Sequence, residues 1–316
     1  MTHLDKLQCL KDRAHMLKQA RSFFDSLQVL EVDCPIITIG APVDAHIDLI
    51  SVNYQNHEKR YMHSSPEYGM KRLIAEGMGD IYQLSHVFRD GEYGTKHNPE
   101  FTMAEWYRLG FTLQQLIQET VEFIQLFLGQ IPSRLLSYRQ ALMHYAGIDY
   151  TQMDVDGLFY YIQTHSIPFY PSIKEEGKDA LLNLILGTVV EPQLGQDELF
   201  ILAYYPASQA ALAKKRWHDN EEVAERFEIY YQGIELANGY HELTNSQEQR
   251  QRFLEANVLR QALGKHSLPL DEFFLNALQK GLPDCCGVAV GFDRLMMLRH
   301  QATSLAQVIA WDWSQA

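Results

Sequence analysis

The chain has 316 residues, 46% of them hydrophobic and 21% charged, with a formal net charge of −13. That length allows a sizeable globular core, and the acidity excludes a broad electrostatic footprint on nucleic acid, because the surface repels a phosphate backbone. The four cysteines (Cys9, Cys34, Cys285 and Cys286) form no C-x-x-C pair and are expected as reduced, buried thiols. The first ten residues carry no secretory signal, and the longest apolar run, residues 181–190, is too short to span a bilayer. A cytoplasmic protein with no membrane partner is expected.

Taken in chain order, Leu10, Ala14, Leu17, Ala20, Phe24 and Leu27 step by three and four, which predicts an amphipathic helix. Residues 29–35 read as a short strand stopped by Pro35. Residues 81–88 predict a strand, residues 90–99 a polar loop and residues 100–107 the returning strand. The spacing of Leu113, Leu116, Ile117, Val121, Ile124 and Leu128 predicts another helix. A helix over 178–190 and an apolar strand over 199–205 follow, then strands 227–231 and 234–240 around a turn at Gln232-Gly233. Ser246 with Gln249 resembles a capping box opening a helix to about residue 263. Residues 287–292 form a small-residue strand running into a helix from Asp293. Hairpin strands with helices between them predict an α+β fold, an antiparallel sheet flanked by helices, in a single domain over residues 1–316.

Three patterns carry chemistry. A two-residue turn pairs Tyr231 with Ile234, Tyr230 with Glu235 and Glu228 with Ala237, so Glu228 and Glu235 share a face. Two carboxylates that close suit a magnesium ion completed by water and phosphate, or are solvated glutamates on an open face. Alternation in residues 101–107 puts Phe101, Met103, Glu105 and Tyr107 on one side, either an amine-binding wall or an ordinary amphipathic strand. In Gly287-Val288-Ala289-Val290-Gly291-Phe292-Asp293-Arg294, the small alternate residues let a ligand approach the backbone. Arg294 is a cation at a helix start, which points to a phosphate or carboxylate partner, or to an ion pair with Asp293. Arg89 has the chemistry of a phosphate clamp, and His97 and Asn98 stand at the far side of the loop that follows it.

In this order the patterns resemble the three motifs of class II aminoacyl-tRNA synthetases. Residues 10–35 look like motif 1, the dimer element. Residues 81–107, with Phe88-Arg89 and His97-Asn98-Pro99-Glu100-Phe101-Thr102-Met103, look like motif 2, and residues 285–300 look like motif 3. The second of those runs and Asn238-Gly239-Tyr240-His241-Glu242-Leu243 are similar to lysyl-tRNA synthetases in particular. Those enzymes carry an anticodon-binding barrel ahead of motif 1, whereas motif 1 begins here at the first residues. Together with the acidic charge, and with Ala289 standing where lysyl-tRNA synthetases resemble a G-x-G-x-G pattern, this resembles the short paralogues that attach lysine to elongation factor P.

The resemblance implies ATP and Mg2+, and activation of lysine, by preference (R)-β-lysine, as an adenylate. Transfer to the ε-amine of a lysine on elongation factor P would follow. It implies Arg89 and Arg294 as the catalytic cations on the phosphates, with Asn98, His97, Phe101, Glu235, Leu236 and Gly291 completing the ATP site. Glu228 and Glu235 would carry the metal. Ser65, Pro66, Glu67, Glu105, Tyr107, Asn238, Glu242 and Ala289 would form the lysine site. A homodimer without stable tRNA binding is implied as well. One position departs from the motif, which reads F-R-x-E: here Phe88-Arg89-Asp90 is followed by Gly91, with Glu92 one place later. Two alternatives stand beside the ligase: tRNA as the acceptor, and a non-catalytic ATP-binding regulator, for which Gly91 is the warrant.

Overall fold

The computed structural model describes residues 5–40, 42–55 and 58–316. The chain divides into two compact units, Met1–Gly129 with His241–Ala316, and Gln130–Tyr240.

The first unit opens with α1 (Lys6–Ser26), started by Asp5, whose carboxylate accepts from the amides of Leu7 and Gln8. Of its expected apolar steps Ala20 and Phe24 are buried, Leu10, Leu17 and Leu27 are half-buried and Ala14 is exposed, while Cys9 and Met16 complete the buried face. Only Leu30–Glu31 (β1) forms within the strand expected over residues 29–35. A small antiparallel sheet follows, made of Ile37–Thr38 (β2), Ser51–Tyr54 (β3) and Glu58–Met62 (β4), with β4 in the middle. After α2 (Glu67–Ala75) come β5 (Ile81–Phe88) and β6 (Glu100–Leu109), antiparallel in a register that pairs Gln83 with Glu105. β1 joins the other side of β5 in parallel. Helix α3 (Leu113–Leu128) starts on a reciprocal Thr112–Gln115 capping box. Phe24 stacks on Tyr82 with centroids 4.1 Å apart, and Trp106 and Phe123 close around it as the core.

The second unit contains β7 (Ser133–Ser137), α4 (Tyr138–Tyr145), α5 (Val155–Thr164), α6 (Lys178–Ile185), β8 (Leu199–Pro206), β9 (Lys215–His218), β10 (Glu221–Tyr231) and β11 (Ile234–His241). The helix expected over 178–190 is α-helical only to Ile185 and finishes as a π-helical turn. Strand order is β11-β10-β8-β7 with β9 on β10, and only the β7–β8 pair is parallel. Gln232 and Gly233 both have positive φ, 51° and 65°, as the expected two-residue hairpin requires. Beyond the turn the register corrects the sequence expectation. Leu236 is an extra residue in a bulge, so Ile229 pairs with Ala237 and Glu228 with Asn238.

The chain returns to the first unit as α7 (Ser246–Ala262), α8 (Glu272–Gly281), β12 (Cys285–Gly291) and α9 (Phe292–Arg299). The cap of α7 is Asn245, whose side chain accepts from Gln247 and Glu248, and not Ser246 as expected. β12 lies antiparallel to β6. Mostly antiparallel strands with helices among them make the α+β architecture expected from the sequence.

Candidate active site

The start of α2, strand β6 and the segment after β11 assemble a buried acidic cluster in the first unit. Ser65 Oγ accepts from the amide of Glu67 at 3.0 Å and donates to Oε2 of Glu105 at 2.7 Å. Pro66 fills the cap position of α2 between them. The Tyr107 hydroxyl donates to Oε1 of Glu105 at 2.7 Å, which leaves its own lone pairs to accept from a cation. The register sets Glu105 opposite Ala289 and Tyr107 opposite Gly287, so these four share a face. A Cβ on Gly287 would stand 2.3 Å from Tyr107 Cε1 and 2.5 Å from Glu242 Oε1. Only glycine fits this wall.

The sequence reading missed the centre of the cluster. Lys71 Nζ donates to Glu67 Oε1 and to Glu242 Oε2, both at 2.5 Å, and its side chain is 1% exposed. The signal available in the sequence was the Glu67–Lys71 spacing of four on a helix, which ordinarily reads as a surface pair. Burial disfavours the Lys71 charge, but Glu242 and Glu67 outweigh it and hold the ammonium above its ordinary range. Burial, then the charge of Glu67, pushes Glu105 up to about 7. Burial also raises Glu242, against the pull of Lys71. Tyr107 is raised by burial and by Glu105, so its phenol stays neutral.

The motif 2 loop and the start of α9 supply cations in the same unit. Arg89 lies half-buried with its guanidinium carbon 5.2 Å from the centre of the Phe101 ring. Its Nε is buried with no hydrogen-bond partner among the described residues, an orphaned donor suited to an anion. Gly91 has a φ of +77°, and Glu92 folds back to within 3.7 Å of Arg89. A turn that needs a left-handed residue therefore occupies the place where the motif carries an acid. Arg294 donates to His97 Nε2 at 2.8 Å and to the carbonyl of Lys96 at 3.4 Å. Burial and then Arg294 lower the His97 ring, keeping it the neutral acceptor. Asp293 is not the partner of Arg294. It pairs with Arg13 of α1 at 2.5 Å and accepts from the amide of Thr102 at 2.9 Å. Asn98 is buried, donating to the carbonyl of Glu100 at 2.6 Å and accepting from the amide of Trp313 at 2.9 Å. A Cβ on Gly291 would make only ordinary contact, 3.6 Å from Arg294 Cδ, so the protein itself does not demand glycine there.

In the second unit Tyr230 stands opposite Glu235, and Glu228 two residues along lies on the same face, next to Asn238. Glu228 is buried between Arg226, which donates to Oε1, and Tyr230, which donates to Oε2 at 2.5 Å. Each oxygen keeps a second lone pair, and two carboxylates completed by water and phosphate are a usual magnesium donor set, so the pair fits that ion. Among the described residues no group of three or more His, Cys, Asp or Glu side chains is poised to hold a metal without such help. Asn238 Oδ1 is buried without a hydrogen-bond partner among the described residues, an acceptor awaiting a donor. Leu236 is buried at the bulge.

A strand pair carrying an arginine and a polar loop, a glycine-bearing strand ending on a second arginine, and a buried acidic cluster agree with the family model for class II tRNA synthetases (D, K and N), which matches residues 2–314. The chain belongs to that family. Its similar curated relatives include the elongation factor P–(R)-β-lysine ligase of Pasteurella multocida, 39% identical over 98% of this chain and 96% of the relative. The ligase of that name from Salmonella gallinarum is 42% identical over 97% of this chain and 95% of the relative. That from Avibacterium paragallinarum is 40% identical over 98% and 97%.

Proposed function

We propose that the chain is an ATP-dependent ligase that activates lysine, by preference (R)-β-lysine, as an aminoacyl-adenylate and transfers it to the ε-amine of a lysine on elongation factor P. The observation that carries this reading is the buried cluster of Glu67, Glu105 and Glu242, which already binds one ammonium, that of Lys71, and leaves acceptors on Tyr107 and the carboxylates for more. A pocket of acids sealed from water selects a diamine, because each unpaired buried carboxylate is costly until a cation reaches it. The names of the relatives, at about 40% identity over nearly full length, support the same substrate and acceptor.

In this reading the substrate carboxylate attacks the α-phosphorus of ATP and pyrophosphate leaves. Arg89 and Arg294 neutralise the charge that develops on the phosphates, so positioning and electrostatics carry the step without a protein nucleophile. Phe101 offers its ring face to the adenine, His97 and Asn98 fix the loop over the nucleotide, and Leu236 and Gly291 border it. Glu228 and Glu235 would hold magnesium, which supplies charge neutralisation at the phosphates when bound. Ser65, Pro66, Glu67, Tyr107, Asn238, Glu242 and Ala289 surround the lysine, with Glu105 supporting them. The acceptor ε-amine then attacks the acyl carbon and AMP departs. We place the reaction in the cytoplasm, consistent with four buried cysteines that form no disulfide among the described residues.

The test is to incubate the chain with ATP, each lysine isomer and elongation factor P, and to weigh the factor by mass spectrometry. One lysyl increment, largest with (R)-β-lysine, is expected. Pyrophosphate exchange with no lysine isomer would sink the reading, and charging of tRNA with an unmodified factor would move the acceptor to tRNA.

A further inference from the structure

We propose that Lys71 determines the charge specificity of the lysine pocket: its ammonium fixes Glu67 and Glu242 in one geometry and offsets part of the cluster's negative charge, leaving the remaining carboxylate oxygens and Tyr107 as acceptors for a substrate with two ammonium groups. This rests on the ligase reading of the same site and deepens it. Lys71 is a positioning residue, acting through Glu67 and Glu242.

Stability does not explain a lysine in this place. Lysine is almost never fully buried, and desolvating it together with its acids costs more than an apolar side chain of similar volume would. Yet the side chain is 1% exposed, with Tyr107 and Phe274 presenting their rings at 5.9 and 6.0 Å. Two of its three N–H donors are committed to the two carboxylates assigned to the substrate. The groups facing it are Glu67 on its own helix, Glu105 and Tyr107 from β6, Glu242 after β11, and the uncharged Phe274 from α8. The nearby Cys34 thiol is pushed up to about 11, chiefly by burial, and stays neutral. Lys71 pulls down the carboxyls of Glu105 and Glu242 against the lift that burial gives them, so without it they would hold their protons to higher pH, and a protonated acid pairs poorly with a substrate ammonium.

The measurement is lysine-dependent pyrophosphate exchange by the full chain between pH 6 and 9.5, for wild type, Lys71→Met and Lys71→Arg, with the KM for ATP determined in parallel. Lys71→Met is expected to raise the KM for lysine and (R)-β-lysine about tenfold or more near neutral pH, as expected for one partner lost from a buried charge pair. The midpoint of its KM–pH profile should move upward by about one unit or more, with kcat and the KM for ATP within about threefold of wild type. Lys71→Arg keeps the charge and should keep the wild-type midpoint. A Lys71→Met profile that coincides with wild type overturns the proposal, as does an equal loss for ATP and lysine without a pH displacement. If Lys71→Met does not fold, Lys71→Arg decides: an unchanged midpoint supports the proposal and an upward one overturns it. A wild-type chain inert with every lysine isomer removes the ligase reading itself, whereas an active wild type matched by Lys71→Met removes this inference alone.

Discussion

Glu105 accepts two hydroxyl hydrogen bonds, from Ser65 and Tyr107, whereas Lys71 donates to Glu67 and Glu242. Its carboxyl is raised from 4.5 to about 7 on folding, so between those values the native state holds a proton that the unfolded chain releases. The stabilisation is complete below the lower value and is lost as pH climbs through the upper one. Thermal melting of the ligand-free protein should therefore show a stability loss approaching about 1.4 kcal/mol per pH unit from this group across that window. Glu105→Gln should flatten that slope, and a slope unchanged by the substitution would contradict the assignment. Glu242 makes a different residue-scale prediction. Removing its charge leaves Lys71 tied to Glu67 alone and takes away one substrate partner, so Glu242→Gln should raise the KM for lysine by about tenfold or more. The KM for ATP should change less than about threefold, and equal losses for both ligands would contradict its role.

At the scale of elements, strand β12 carries glycines with different reasons. Gly287 is demanded by the fold, because a methyl there meets Tyr107 and Glu242 well inside contact distance. Gly287→Ala should cost about 1–3 kcal/mol by overpacking, lower the melting temperature by a few degrees and weaken lysine binding. Gly291 has room for a methyl, so Gly291→Ala should melt with wild type while its KM for ATP rises. A wild-type KM would remove Gly291 from the nucleotide site. The sequence disclosed elements whose signal is local: α3 and β5 span the residues their patterns predicted. Elements decided by distant partners were hidden. Lys71 reads as half of a helix-surface pair until Glu242, 171 residues away, closes on it. The bulge at Leu236 was hidden because an extra apolar residue leaves the local pattern intact, and the cap of α7 was misplaced by one because Asn245 and Ser246 are both good caps. The motifs located Arg89 and Arg294, but the fold alone pairs Arg294 with His97 and sends Asp293 to Arg13.

At the scale of the whole molecule the chain carries a net charge of −13, and among the described residues no helix is long and apolar enough to cross a membrane. Against that acidic background the first unit exposes Leu30, Ile36, Ile37 and Ile39, within the stretch running from β1 to the edge strand β2. Exposed apolar side chains grouped in this way are what a contact with another chain would cover. Edge strands such as β1 and β2 also leave backbone groups that another chain can pair. We propose that this stretch, at and just beyond the end of the motif 1 region, joins two copies of the chain. Sedimentation at micromolar concentration should give about twice the 36.5 kDa of one chain. Ile37→Asp buries a charge in that contact without touching the core, so it should shift the mass to one chain while leaving the fold, read by circular dichroism, unchanged. A wild-type monomer, or an Ile37→Asp dimer of undiminished stability, would place the interface elsewhere or remove it.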